Sequence, residues 1–199
     1  YNVGNEINPT IKKYSIDSVK YYNVTIKILT DVSEKKEKKN NNNYEIEEFK
    51  TTILVNKDNK INYDENISVK FKNDMPYFYR KIFVNNKVLY YNNQLARLSG
   101  ISSSEKITTT LEKGYKVLKL SNDTSYIDMK NFNIKYTYDL GDDFNRRKDK
   151  LYINIIVNTF DIVINKINFE IQLPEDLENE NIKFVSLKRC SLLRLRRFL

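Results

Sequence analysis

The sequence predicts an all-β protein, an antiparallel β-sandwich with short helical or irregular insertions, and three observations carry that reading. Segment after segment alternates apolar and polar residues with a period of two, a pattern that a strand sorts onto opposite faces. Clusters of turn-forming residues interrupt these segments at short intervals. Credible helices are confined to two short stretches, residues 93–98 and 175–181.

The elements follow in chain order. Tyr22, Val24, Ile26 and Ile28 alternate with Asn23, Thr25 and Lys27. Residues 51–55 read as a short strand, joined to the next by Asn56-Lys57-Asp58-Asn59-Lys60, a hairpin connection rich in residues that tolerate a left-handed backbone. Ile61, Tyr63, Glu65, Ile67, Val69 and Phe71 then share one face, against Asn62, Asp64, Asn66, Ser68, Lys70 and Lys72 on the other. A strand over 115–120 follows Gly114. Phe132, Ile134, Tyr136 and Tyr138 alternate with polar residues, and so do Ile167, Phe169, Ile171 and Leu173 before Pro174. These eight positions are expected to face the core. Residues 151–157 are apolar enough for burial on both faces. Strands with one wet face belong to antiparallel sheets, and about eight at this spacing make a sandwich.

The chain divides into an extension over 1–13, a β domain over 14–186 and an atypical basic tail over 187–199. Within the domain, EKKEKKNNNN at 34–43 lacks apolar residues to offset ordering entropy and reads as a mobile loop. The formal net charge is +8, but Lys188, Arg189, Arg194, Arg196 and Arg197 supply five of it without one acid among them. The basic character belongs to the tail, which argues against a nucleic-acid partner, since such partners select basic residues on a folded face. That tail reads either as an amphipathic membrane-surface segment or, preferred here, as the product of a reading-frame shift.

The residue inventory excludes much chemistry. There is no His, which removes the usual serine and cysteine triads, His-based zinc sites and the commonest general base. The lone Cys190 forms no internal disulfide, and the four glycines match no phosphate-binding loop. No apolar run approaches the roughly 18–20 residues of a membrane helix. No cofactor and no metal is expected. The chain starts at Tyr1 rather than Met, so its natural N-terminus is expected to lie upstream.

Several motifs resemble one family. Tyr77-Phe78-Tyr79-Arg80-Lys81-Ile82 is similar to the aromatic-Arg-x-Ile motif of the predicted membrane proteins of domain-of-unknown-function family 2207. Residues 114–120 resemble its Gly-Tyr strand, 132–138 its Tyr-x-Ile-x-Tyr strand, and 149–154 its acidic-x-Leu-Tyr-Trp-Asn box, with Ile153 in place of Trp. Residues 162–174 resemble the next strand, ending in Leu-Pro, and 61–65 an upstream Val-Thr-Glu strand. The likeness spans 14–186; the segment at 34–43 is extra, and the pattern stops after Ser186. The resemblance implies a signal peptide, an extracytoplasmic β domain, membrane helices downstream and attachment to the cell membrane through segments outside this chain. It implies no reaction.

Candidate sites are few. Asp142, Asp143, Asp149, Glu175, Asp176, Glu178 and Glu180 offer oxygen ligands but no calcium-loop spacing, and read as solvated loop acids. Tyr21, Tyr22, Tyr77, Tyr79, Tyr90 and Tyr91 suit contact with a glycan or peptide, though aromatics at strand spacing more commonly pack. Asn23, Asn66 and Asn122 open glycosylation sequons. The sharpest candidate is structural. Glu65 interrupts an apolar face and must reach water or a cation, and Arg80 is the natural partner for a two-point ion pair. The function expected is a non-enzymatic extracytoplasmic module that binds or braces an envelope protein or glycan. The alternative is a His-free, carboxylate-dependent hydrolase acting on an envelope polymer.

Overall fold

The computed structural model describes residues 10–16, 19–29, 43–91, 94–141, 150–154, 162, 164–174, 182–187 and 190–196. All regular structure among them is strand. In order these are β1 (Thr10–Ile16), β2 (Val19–Leu29), β3 (Tyr44–Val55), β4 (Lys60–Phe71), β5 (Phe78–Phe83), β6 (Asn85–Tyr91) and β7 (Gln94–Ser103). There follow β8 (Lys106–Glu112), β9 (Tyr115–Ser121), β10 (Met129–Asp139), β11 (Lys150–Asn154), β12 (Ile164–Pro174), β13 (Ile182–Leu187) and β14 (Cys190–Arg196). Three sheets result: eight strands ordered β1-β2-β12-β3-β4-β10-β7-β6, three ordered β5-β9-β8, and three ordered β11-β14-β13. The protein is all-β.

The hairpin β3–β4 shows how local sequence builds the large sheet. Its four-residue turn places Asn59 at φ 60°, which Asn tolerates, and the Asn56 N–H donates to the Lys60 carbonyl at 2.8 Å. Strand β3 is longer than the 51–55 stretch the alternation marked. A register shift between Ile46 and Glu48 inserts one extra residue, so Ile46 and Phe49, three apart, are both buried. A period-two search loses the strand at such a bulge.

The helix expected over 93–98 is corrected as well: residues 94–98 lie on β7, a strand with a bulge of its own. Between its pairs with Lys135 and Thr137, β7 sets Gly100 and Ile101 against the single residue Tyr136. Gly100 takes φ +59°, and a Cβ added there would meet Thr137 Oγ1 at an ordinary 3.5 Å. Space is therefore available and only backbone strain opposes a side chain. Gly100→Ala is expected to destabilise by about 1–2 kcal/mol, the cost of a left-handed non-glycine residue, read as a lower midpoint in urea unfolding.

One departure from antiparallel order stands out. Strand β12 enters between β2 and β3, antiparallel to β2 but parallel to β3, with Ile171 opposite Val24 and Ile53. Alternation tells which face a residue takes and is silent on which strand lies beside it. At the ends, β1 begins at Thr10, inside the stretch 1–13, and β14 carries residues 190–196 of the basic tail into a sheet, between β11 and β13. Residues 30–42, which hold most of the charged low-complexity loop, and 175–181, the second expected helix, lie outside the described residues.

The core forms where the sheet β5-β9-β8 packs on the middle of the large one. Phe132, Ile134, Tyr136, Tyr138, Ile167, Phe169, Ile171 and Leu173 are all buried, as are Phe78, Ile82, Leu118 and Leu120 from the opposing sheet. The Phe78 and Phe132 rings stack across the gap with centroids 4.5 Å apart. Tyr138 spans it too, its hydroxyl donating to the Phe83 carbonyl at 2.7 Å.

Candidate functional site

Six side chains of β4 point into the sandwich: Ile61, Tyr63, Glu65, Ile67, Val69 and Phe71. Facing them, β5 turns Phe78, Arg80 and Ile82 inward. The one acid and the one base on these inner faces thus stand in the middle of their strands, not at a rim. Face-packed sheets lie about 10 Å apart, a gap that a Glu and an Arg extended toward each other bridge. The chain between the two strands crosses from one sheet to the other, held by the Met75–Tyr126 backbone bridge.

Glu65 and Arg80 meet in a two-point pair. Arg80 Nε donates to Glu65 Oε2 at 2.7 Å and Arg80 Nη2 to Oε1 at 2.6 Å. Their relative exposures are 2% and 1%, so water has no part in the contact. Two further bonds complete the cluster: Tyr136 O–H donates to Glu65 Oε1 at 2.6 Å, and Arg80 Nη1 donates to the Lys81 carbonyl at 2.5 Å. The Arg80 guanidinium also lies 5.8 Å from the centre of the Phe49 ring.

Tyr136 was visible in the sequence as a core residue but not as a donor. Its neighbour across the sheet is Tyr63, and the rings stack at 4.9 Å with 7° between planes. A buried tyrosine hydroxyl needs a partner; three tyrosines on the inner faces beside one carboxylate were the available signal. Thr51, cross-strand from Glu65 on β3, is 1% exposed, and its hydroxyl has no hydrogen-bond partner among the described residues.

The electrostatics follow from burial. Burial opposes the charge on Arg80, but the adjoining Glu65 carboxylate outweighs it and holds the guanidinium above its ordinary pKa. Burial pushes the Tyr136 phenol well above its usual value, with the Glu65 charge adding to the shift. Tyr63 is raised in the same way by burial, then by Tyr138 and Glu65. Both phenols are therefore neutral throughout the physiological range. A carboxylate whose two oxygens are taken by a guanidinium and a phenol has no open path to a substrate.

The remaining candidates are dispersed. Tyr77 and Tyr79 lie away from the core beside β9, their rings 6.3 Å apart, with Lys119 Nζ 3.3 Å from the centre of Tyr77. Tyr21, Tyr22, Tyr90 and Tyr91 occupy positions on β2 and β6. Asn66 and Asn122 are both exposed. Asp142, Asp143, Asp149, Glu175, Asp176, Glu178 and Glu180 lie outside the described residues. Among the described residues no cluster of carboxylates or thiols suits a metal ion, and no helix is long and apolar enough to cross a membrane.

Comparison with known proteins gives one strong likeness. The family model described as "Predicted membrane protein (DUF2207) N-terminal domain" matches residues 45–188. No curated protein matches the chain. Among solved structures, the M1 zinc metallopeptidase from Deinococcus radiodurans aligns at a TM-score of 0.40 and 6% identity, over 77% of this chain and 39% of that one. A mutant of that enzyme bound to a Tyr-Ser-Ala substrate aligns at 0.41 and 8%, over 77% and 39%. The chain spans about two fifths of these enzymes, and at such values neither their topology nor their chemistry carries over to it.

Proposed function

Because this chain belongs to the predicted membrane protein (DUF2207) family, whose N-terminal domain it carries, we propose that it is a non-catalytic β module. It is held by its membrane protein on the extracytoplasmic side, where it binds or braces an envelope protein or glycan. One observation supports this above the others: the most buried acid among the described residues, Glu65, is 2% exposed and committed to Arg80 and Tyr136. A hydrolase working through carboxylates needs two acids facing one cleft. Two acids on the outer face of the large sheet are held in surface pairs instead, Asp64 with Lys135 at 3.2 Å and Glu48 with Lys166 at 2.7 Å. The carboxylate-hydrolase alternative has no comparable support.

The side of the membrane is testable by labelling. In the intact membrane protein with Cys190→Ser, a cysteine is introduced as Asp123→Cys, in an exposed turn ahead of β10. A membrane-impermeant maleimide is expected to label it in intact cells. Labelling that requires permeabilised cells would overturn the extracytoplasmic placement.

A further inference from the structure

Among the described residues, the outer face of the sheet β5-β9-β8 differs from the outer face of β3, β4, β10 and β12. Register fixes which residues share it: Tyr79 lies opposite Lys119, Lys81 opposite Val117, and Phe83 opposite Tyr115. Across β9, Lys119 faces Thr108 and Ser121 faces Lys106. Val117, on this face by its register with Lys81, is only 5% exposed and stands outside the core cluster. The face therefore has its own apolar and aromatic floor. Tyr79, at 44% exposed, is its most open aromatic, and the Phe83 and Tyr115 rings lie 4.3 Å apart.

The charge on this face is one-sided. Its lysines are Lys81, Lys106 and Lys119, and its one acid is Glu112, loosely set 3.9 Å from Lys81 with both side chains exposed. No carboxylate among the described residues pairs with Lys106 or Lys119. On the outer face of β3, β4, β10 and β12 lysines and acids are interspersed instead: Lys135 sits on Asp64, Lys166 on Glu48, and Asn133 bonds both Asp64 and Asn66.

We infer that the outer face of β5-β9-β8 rests on an anionic phospholipid surface. Lysines supply the attraction to phosphate headgroups while their stems lie along the aromatic floor. Tyrosine, with an apolar body and polar tip, suits the headgroup level beside them. A plane of three strands meets a bilayer better than it encloses a small ligand, and the family places the domain on a membrane protein. Tethering raises the local concentration of the surface, so weak contacts per residue suffice. The inference rests on family membership, not on which side of the membrane the domain occupies.

The test is flotation of the chain with vesicles. Binding is expected to vesicles of phosphatidylcholine with about a third phosphatidylglycerol, to fall with added salt, and to be absent with phosphatidylcholine alone. Lys106→Gln with Lys119→Gln is expected to weaken partitioning about twenty-fivefold, at roughly fivefold per lysine. The control removes equal charge from the opposite sheet, Lys135→Gln with Lys166→Gln, and is expected to leave partitioning within about twofold, since those lysines already face carboxylates. Equal losses from both pairs would assign binding to net charge and overturn the inference. So would binding independent of phosphatidylglycerol, or full competition by soluble poly(glycerol phosphate) at equal phosphate, which would transfer the face to a polymer. Failure here leaves the extracytoplasmic module standing, and failure of the maleimide labelling leaves the vesicle result standing.

Discussion

Arg80→Gln is expected to lower the unfolding free energy by about 3–5 kcal/mol, the usual cost of leaving one buried charge without its partner. The reason lies in the geometry: Glu65 would keep only the Tyr136 hydroxyl, inside a core where it is 2% exposed. Glu65→Gln is expected to cost a similar amount, because the buried Arg80 guanidinium would lose the carboxylate that balances its charge. The double variant is expected to lose much less than the sum, giving a coupling of a few kcal/mol in a double-mutant cycle, whereas additive losses would mean no coupling. Urea unfolding at constant slope is the measurement. A further variant separates pairing from packing: Glu65→Leu with Arg80→Met is expected to be near neutral or stabilising, since well-packed apolar pairs commonly replace buried ion pairs without loss. The pair is then best understood through specificity. Slipping β4 by one residue would turn Glu65 outward and put Asn66 or the shorter Asp64 in its place, and only the native register sets the Glu65 carboxylate in its two-point pair with Arg80. Loss of cooperative unfolding in the apolar double variant would support that role, and a sharp transition would count against it.

Stability is expected to fall steeply above pH 10. Tyr63 and Tyr136 are raised well above 10 in the folded protein by burial, with Glu65 adding to both. In the unfolded chain they titrate near 10. The folded state therefore holds more protons once pH passes the unfolded value, so the stability they contribute is complete below about pH 10 and lost as pH rises beyond it. Each phenol contributes a slope of about 1.4 kcal/mol per pH unit, so the pair gives roughly 3 kcal/mol per unit until the folded values are reached. Tyr126, raised by burial and by Glu105, adds to the same slope, so urea midpoints between pH 9 and 11.5 test this, with Tyr136→Phe expected to remove about a third of the slope. An unchanged slope in that variant would mean that other groups govern alkaline unfolding.

Alternation along the chain was enough to determine the all-β class and the inner faces of β4, β10 and β12, because side-chain direction in a strand depends on sequence position alone. It also exposed Glu65 as the one charge on an apolar face, and burial makes such a charge demand a partner. The rule was weaker where strands are irregular: β3, bulged between Ile46 and Glu48, was read only over 51–55, and part of β7, bulged at Gly100 and Ile101, was read as a helix over 93–98. Only the tertiary structure decided that β12 lies parallel to β3, that β5 sits in a different sheet from β4, and that Tyr136 supplies the third bond to Glu65. Those facts concern residues distant along the chain, and partner choice is set by how whole sheets pack, which no local period records.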